Sequence, residues 1–215
     1  TQAVLASTGV DTYDLLPSGV GADTWGTTYI VDTDFETMES TLTILYDGDD
    51  DPSRALRSPD NLDWADDGYI YIQEDEAEED SLDGEVLFGP GATNPFEASI
   101  VRLDPNDLGG TPVRVAEIDR MAVVDPYIAD PFDAVDTDAG SAGEWESSGI
   151  LDVSTLFGED EGTLFLFSVQ AHGIEDQDGF NEDSRIIDGD LVEGGQLLFL
   201  ATGEAVENLN GKDND

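Results

Sequence analysis

The stretch from Asn61 to Asp119 constrains the fold more than any other part of the chain. It contains "NLDWADDGYIYIQED", then "ASIVRLDPN", then "TPVRVAEID". Short runs of β-branched and aromatic residues, bounded by Gly, Asp, Asn and Pro, are the pattern of strands joined by turns. Asp66-Asp67-Gly68 fits a tight hairpin connection. Apolar residues recur with the helical period over no window longer than about ten residues, so helices have little to form from.

The same pattern extends on both sides. Strands are expected at Thr27–Asp32, Thr41–Tyr46, Asn61–Ala65, Tyr69–Gln73, Ser99–Leu103, Val113–Ile118, Ile150–Val153, Thr163–Gln170 and Gln196–Ala201. The central unit of four strands with short turns has the make-up of a β-propeller blade. A partial unit precedes it ("WGTTYIVD", "STLTILYDG") and another follows ("SSGILDVS", "GTLFLFSVQAH", "GGQLLFLATG"). The expected fold class is therefore all-β, with about three blade-like units in a domain over residues 1–206. An ordinary antiparallel sandwich is the alternative. Glu74–Asn94 and Ala122–Gly143 read as acidic loop insertions, and 207–215 as a polar tail. Three blades do not close a ring and would leave strand edges open. The expectation is a second polypeptide, or further blades of the same protein, to complete it.

Charge narrows the partners. The chain holds 51 acidic and 7 basic residues among 215, a net charge of −44. Yet 39% of it is hydrophobic, with 18 aromatic residues, which is too much for a disordered acidic tail. Such charge repels nucleic acid and anionic lipid and favours cations. Acid excess with a single lysine, Lys212, resembles proteins of high-salt environments, where screening makes self-repulsion tolerable. With no cysteine, disulfides, zinc-thiolate sites and cysteine nucleophiles are excluded. No apolar run reaches the length of a membrane span. His172 is the only histidine, Ser147-Ser148-Gly149 is not a nucleophile elbow, and there is no P-loop. The run Asp47–Asp51 suggests a surface Ca²⁺ loop but lacks the distal Glu of an EF-hand.

Five short motifs occur in a telling order: Pro59–Leu62 ("PDNL"), Gln73–Asp75 ("QED"), Glu146–Asp152 ("ESSGILD"), Val169–Gly173 ("VQAHG") and Leu191–Leu198 ("LVEGGQLL"). In this order they resemble the C-terminal half of PhoX-type alkaline phosphatases, over roughly Trp25 to Leu200. The resemblance implies blades of a six-bladed propeller, secretion, and a Ca²⁺ and iron cluster that hydrolyses phosphomonoesters. This chain departs from that pattern in length, in lacking a cysteine iron ligand, and in having no clear phosphate-gripping arginine; Arg57 only neighbours a motif.

Carboxylates at strand ends supply the candidate metal ligands. Asp60 and Asn61 stand at one strand, Glu74 and Asp75 follow the next, Glu144 and Glu146 flank Trp145, and His172 closes "LFLFSVQAH". Ca²⁺ takes six to eight hard oxygen ligands from separate segments, so it is the expected ion; His172 would suit iron better. Two functions follow from these residues. One is PhoX-type phosphomonoester hydrolysis. The other is a non-catalytic extracellular propeller segment, stabilised by Ca²⁺, that acts as a surface or matrix component.

Overall fold

A computed structural model describes residues 1–9, 23–51, 53, 55–75, 96–119, 145–171, 194–203 and 205–206. Its strands form three antiparallel sheets, each a meander of chain neighbours. The first holds β1 (Gln2–Ser7), β2 (Thr27–Asp34) and β3 (Glu39–Asp47). The second holds β4 (Pro59–Trp64), β5 (Ile70–Glu74), β6 (Ser99–Leu103) and β7 (Val113–Glu117). The third holds β8 (Glu146–Asp152), β9 (Leu164–Ala171) and β10 (Gly194–Ala201). A short helical turn, α1 (Ser154–Phe157), follows β8.

The four-strand unit legible in the sequence is the second sheet. Its first hairpin closes at Asp66-Asp67-Gly68 as that tripeptide suggests. Gly68 takes φ +88°, a conformation that favours glycine, and donates its N–H to Ala65 O at 3.0 Å. Asp67 Oδ1 accepts the Tyr69 N–H at 3.0 Å, fixing the turn from the other side.

The second sheet lies between the other two, and alternation along its strands sends side chains both ways. Ile70, Ile72, Val101 and Leu103 pack against Ile30, Leu45 and Tyr46 of the first sheet. Tyr71 and Ile100 pack against Ile150, Phe165 and Phe167 of the third, with the Tyr71 and Phe165 rings 4.3 Å apart. Being covered on both faces, β5 is buried throughout. Each such large apolar side chain contributes about 2 kcal/mol on burial, so the two interlayer cores carry most of the fold.

Polar ties fix the layers laterally. Ser58 donates its N–H to Trp25 O at 2.9 Å and Gly109 donates to Leu45 O at 2.7 Å, joining the first and second sheets. Ile150 N–H reaches Gln73 Oε1 at 3.0 Å and Asp152 N–H reaches Asp63 Oδ2 at 2.6 Å, joining the second and third.

Two details differ from the sequence expectation. β1 carries only Val4 as a β-branched residue, and its pairing with β2 makes it a strand. β8 begins at Glu146 rather than Ile150, because Glu146, Ser147 and Ser148 pair with Gln170, Val169 and Ser168. The expected insertion at 122–143 and the tail at 207–215 lie outside the described residues, as do residues 76–94 of the insertion expected at 74–94; Glu74, placed in that insertion by its sequence, instead ends β5. Among the described residues, no helix is long and apolar enough to cross a membrane.

Candidate functional site

Glu74 ends β5 on the face that Ile70 and Ile72 direct toward the first sheet, and its carboxylate is fully buried. Oε1 accepts the Arg57 N–H at 2.9 Å and Oε2 accepts the Ser99 N–H at 3.0 Å. The Arg57 guanidinium, also fully buried, lies 3.9 Å from Oε1 through Nε and donates from Nη2 to Phe96 O at 3.1 Å. Burial pushes the Arg57 pKa down to about 10, which leaves it a cation at neutral pH. Burial raises Glu74, opposed by the Arg57 charge and the two N–H donors. A buried arginine committed in this way does not present itself to a phosphate in solution.

Asp60 and Asn61 sit inside β4, at the irregularity in its pairing with β5 between Pro59 and Leu62. Asn61 Nδ2 donates to Asp60 Oδ2. Burial raises the Asp60 pKa, and the Asp75 carboxylate raises it further. Asp75 itself is anchored by its N–H to Ser58 O at 2.8 Å. The bulge therefore brings Asp60, Asn61 and Asp75 to one place, while Glu74 turns inward. Glu146 belongs to the third sheet, where Gln170 Nε2 donates to its Oε1 at 3.2 Å. Glu144 and His172 lie outside the described residues. Among the described residues, no three acidic or histidine side chains gather as a metal-holding group. Asp60, Asn61 and Asp75 fit part of a Ca²⁺ shell, with two carboxylates and one amide oxygen; the hydrogen bonds of Glu74 direct it elsewhere.

A second carboxylate site escapes sequence reasoning because it gathers donors from separate segments, one of them Asp66 in the second sheet. Asp152 Oδ1 accepts the Ser154 N–H at 2.9 Å and the Ser154 hydroxyl. Oδ2 accepts the N–H of Gly162 at 3.0 Å and of Asp66 at 3.2 Å. Partial burial pushes its pKa up, but these donors outweigh that effect and hold it below the usual 3.8. Neighbouring Asp63 goes the other way, raised by burial and by the Asp152 and Asp66 charges.

These opposite shifts predict how stability depends on pH. Asp49, Asp60 and Asp63 have raised folded pKa values, so the folded state binds more protons in mild acid than the unfolded chain does. Their effect is a gain in stability as pH falls through that window. Asp51 and Asp152 have lowered values, so their contribution is present above the unfolded pKa and lost as pH falls below 3.8. Denaturant midpoints measured stepwise from pH 7 to pH 3 are expected to rise and then fall. A steady decline from pH 7 downward would contradict this.

The third feature is a cleft of about 230 Å³ where β6 and β7 face the third sheet. Ala98, Ile100, Ala116, Phe167 and Leu198 form its walls, with Trp145 and Ser147 between them and Glu117, Asp119 and Gln196 completing the lining. Alternation in "ESSGILD" counted from Ile150 would put Ser147 on the outer face with Leu151; the register shift between Ser148 and Leu151 turns it into the cleft, and no local pattern shows that. No family model matches the chain, and neither a curated protein nor a solved structure is similar to it at a significant level.

Proposed function

We propose that the chain is a run of three β-propeller blades, a non-catalytic extracellular component whose two end faces close on the blades of a partner polypeptide, a second copy of the same chain. The character of those end faces carries this reading. On the first sheet the rows Ala3–Val31–Leu42 and Leu5–Tyr29–Ile44 stand in register on the face opposite Ile30 and its core. Leu5, Leu42 and Ile44 are 51%, 61% and 52% exposed. On the third sheet the row Leu151–Leu166–Phe199, with Leu197 beside it, lies opposite the Phe165 and Phe167 core. Leu151, Leu197 and Phe199 are 55%, 71% and 51% exposed. A chain with 51 acidic residues places none of them in these rows. An ordinary solvated face of such a protein would carry them.

Size supports closure at both ends. A face three strands wide and six residues long spans about 300 Å² at normal strand spacings. Covering both faces of the chain buries about 1,200 Å² counted on both partners, which clears the roughly 1,000 Å² of a specific interface; one face alone does not. Light scattering at molar NaCl tests this. The chain is expected at a multiple of its 23.0 kDa mass, and Leu42→Asp or Phe199→Asp is expected to return it to a single chain. A wild-type chain that stays at 23.0 kDa at all concentrations overturns the reading.

The second reading, PhoX-type phosphomonoester hydrolysis, is favoured by the motif order and by Asp60, Asn61 and Asp75 meeting at the bulge. Those three residues would hold Ca²⁺, with Glu144 and His172 the candidates for completing a Ca²⁺ and iron site. Turnover of p-nitrophenyl phosphate in the presence of Ca²⁺ and iron, lost in Asp60→Asn, would establish it over the non-catalytic reading. Ca²⁺ that raises the melting temperature without turnover would support the non-catalytic one.

A further inference from the structure

We propose that the cleft between β6–β7 and the third sheet is a binding site for a small organic cation with an apolar body, such as an arylalkyl ammonium. The site lies wholly within one chain and does not depend on how the end faces are covered. Its floor is the cross-strand row Ser147–Val169–Gln196, with the Phe167–Leu198 row beside it. Its opposite wall is the Ile100–Ala116 pair together with Ala98.

Three observations point to a ligand of this class. First, Ser147 is 2% exposed and its hydroxyl has no hydrogen-bond partner. A buried hydroxyl without a partner is unfavourable by about 1–3 kcal/mol, which a ligand group bonded to it would recover. Second, the walls are apolar, and about 230 Å³ lies below the roughly 300–1,000 Å³ of pockets for drug-sized ligands. The occupant is therefore small and largely hydrocarbon. Third, the charged groups among the described lining residues are Glu117 and Asp119, both acidic. Glu117 keeps one oxygen on the Glu97 N–H at 3.2 Å. A cation is attracted there and an anion repelled, and a net charge of −44 concentrates cations around the whole molecule. The apolar body then fills the slot between Phe167 and Ala116.

Isothermal titration of the folded chain with 2-phenylethylammonium, 2-phenylethanol and 3-phenylpropionate tests the proposal. The ammonium is expected to bind best and the carboxylate worst. Glu117→Gln should weaken the ammonium while leaving the alcohol unchanged. Ala116→Phe fills the slot and should weaken both by about tenfold or more, equivalent to about 1.4 kcal/mol. Ser147→Ala, which removes only a hydroxyl, keeps the test open if the larger substitution perturbs folding; it should weaken the alcohol and the ammonium alike. No detectable binding of any of the three compounds overturns the proposal. So does carboxylate binding as tight as that of the ammonium, or binding indifferent to Ser147→Ala and Glu117→Gln together.

Discussion

Glu74→Gln is expected to be among the most damaging single substitutions in the chain, with a loss of about 3–5 kcal/mol, the range for breaking a buried ion pair on one side. The substitution leaves the Arg57 guanidinium fully buried without its counter-ion. The new amide can accept only one of the N–H groups from Arg57 and Ser99, and its own NH₂ faces the other. Arg57→Met in the same chain should recover part of the loss, since a buried charge no longer stands alone. Urea denaturation of the single and double variants measures both effects. A Glu74→Gln protein within about 1 kcal/mol of wild type would show that the pair is neutralised in the folded state.

Asp152→Ala is expected to lose about 3 kcal/mol. Two oxygens here hold four donors from Ser154, Gly162 and Asp66, and charged hydrogen bonds contribute about 1.5–3 kcal/mol each without adding fully. Removing one charge also relieves repulsion with Asp63 and Asp66, but between partly exposed charges in salt that relief is under about 1 kcal/mol. The hydrogen bonds therefore decide the sign. The loss should appear as early unfolding of the junction between the second and third sheets, read by hydrogen exchange at Ile150 and Leu164, while Ile30 in the first sheet stays protected. Uniform exchange throughout would mean that the junction does not open by itself.

The sheets were legible in the sequence because strand period and turn chemistry are local. "YIYIQ" alternates two buried faces, and Asp66-Asp67-Gly68 demands its own turn. β1 was not legible, because "QAVLAS" owes its extension to β2 rather than to its own residues. The candidate site was legible only in part. Asp60, Asn61 and Asp75 meet because a bulge shifts the register, and "PDN" hints at that irregularity. Glu74 reads the same in sequence as Asp75, yet the period of two turns one into the core and leaves the other at the strand end. That Arg57 meets Glu74 across 17 residues, and that the Asp66 amide meets Asp152 across 86, are contacts that no local pattern carries.

The central claim is that the outer faces of the first and third sheets are covered in the working molecule. Hydroxyl-radical footprinting read by mass spectrometry tests it with internal standards. Phe35 and Met38, on the β2–β3 turn, are 67% and 79% exposed, and Phe165 is fully buried. In the associated protein, Phe199, Leu197 and Leu42 are expected to label as slowly as Phe165, while Phe35 and Met38 label fast. Labelling of Phe199 and Leu42 at the rate of Phe35 would show that both faces stand in solvent and would contradict the account.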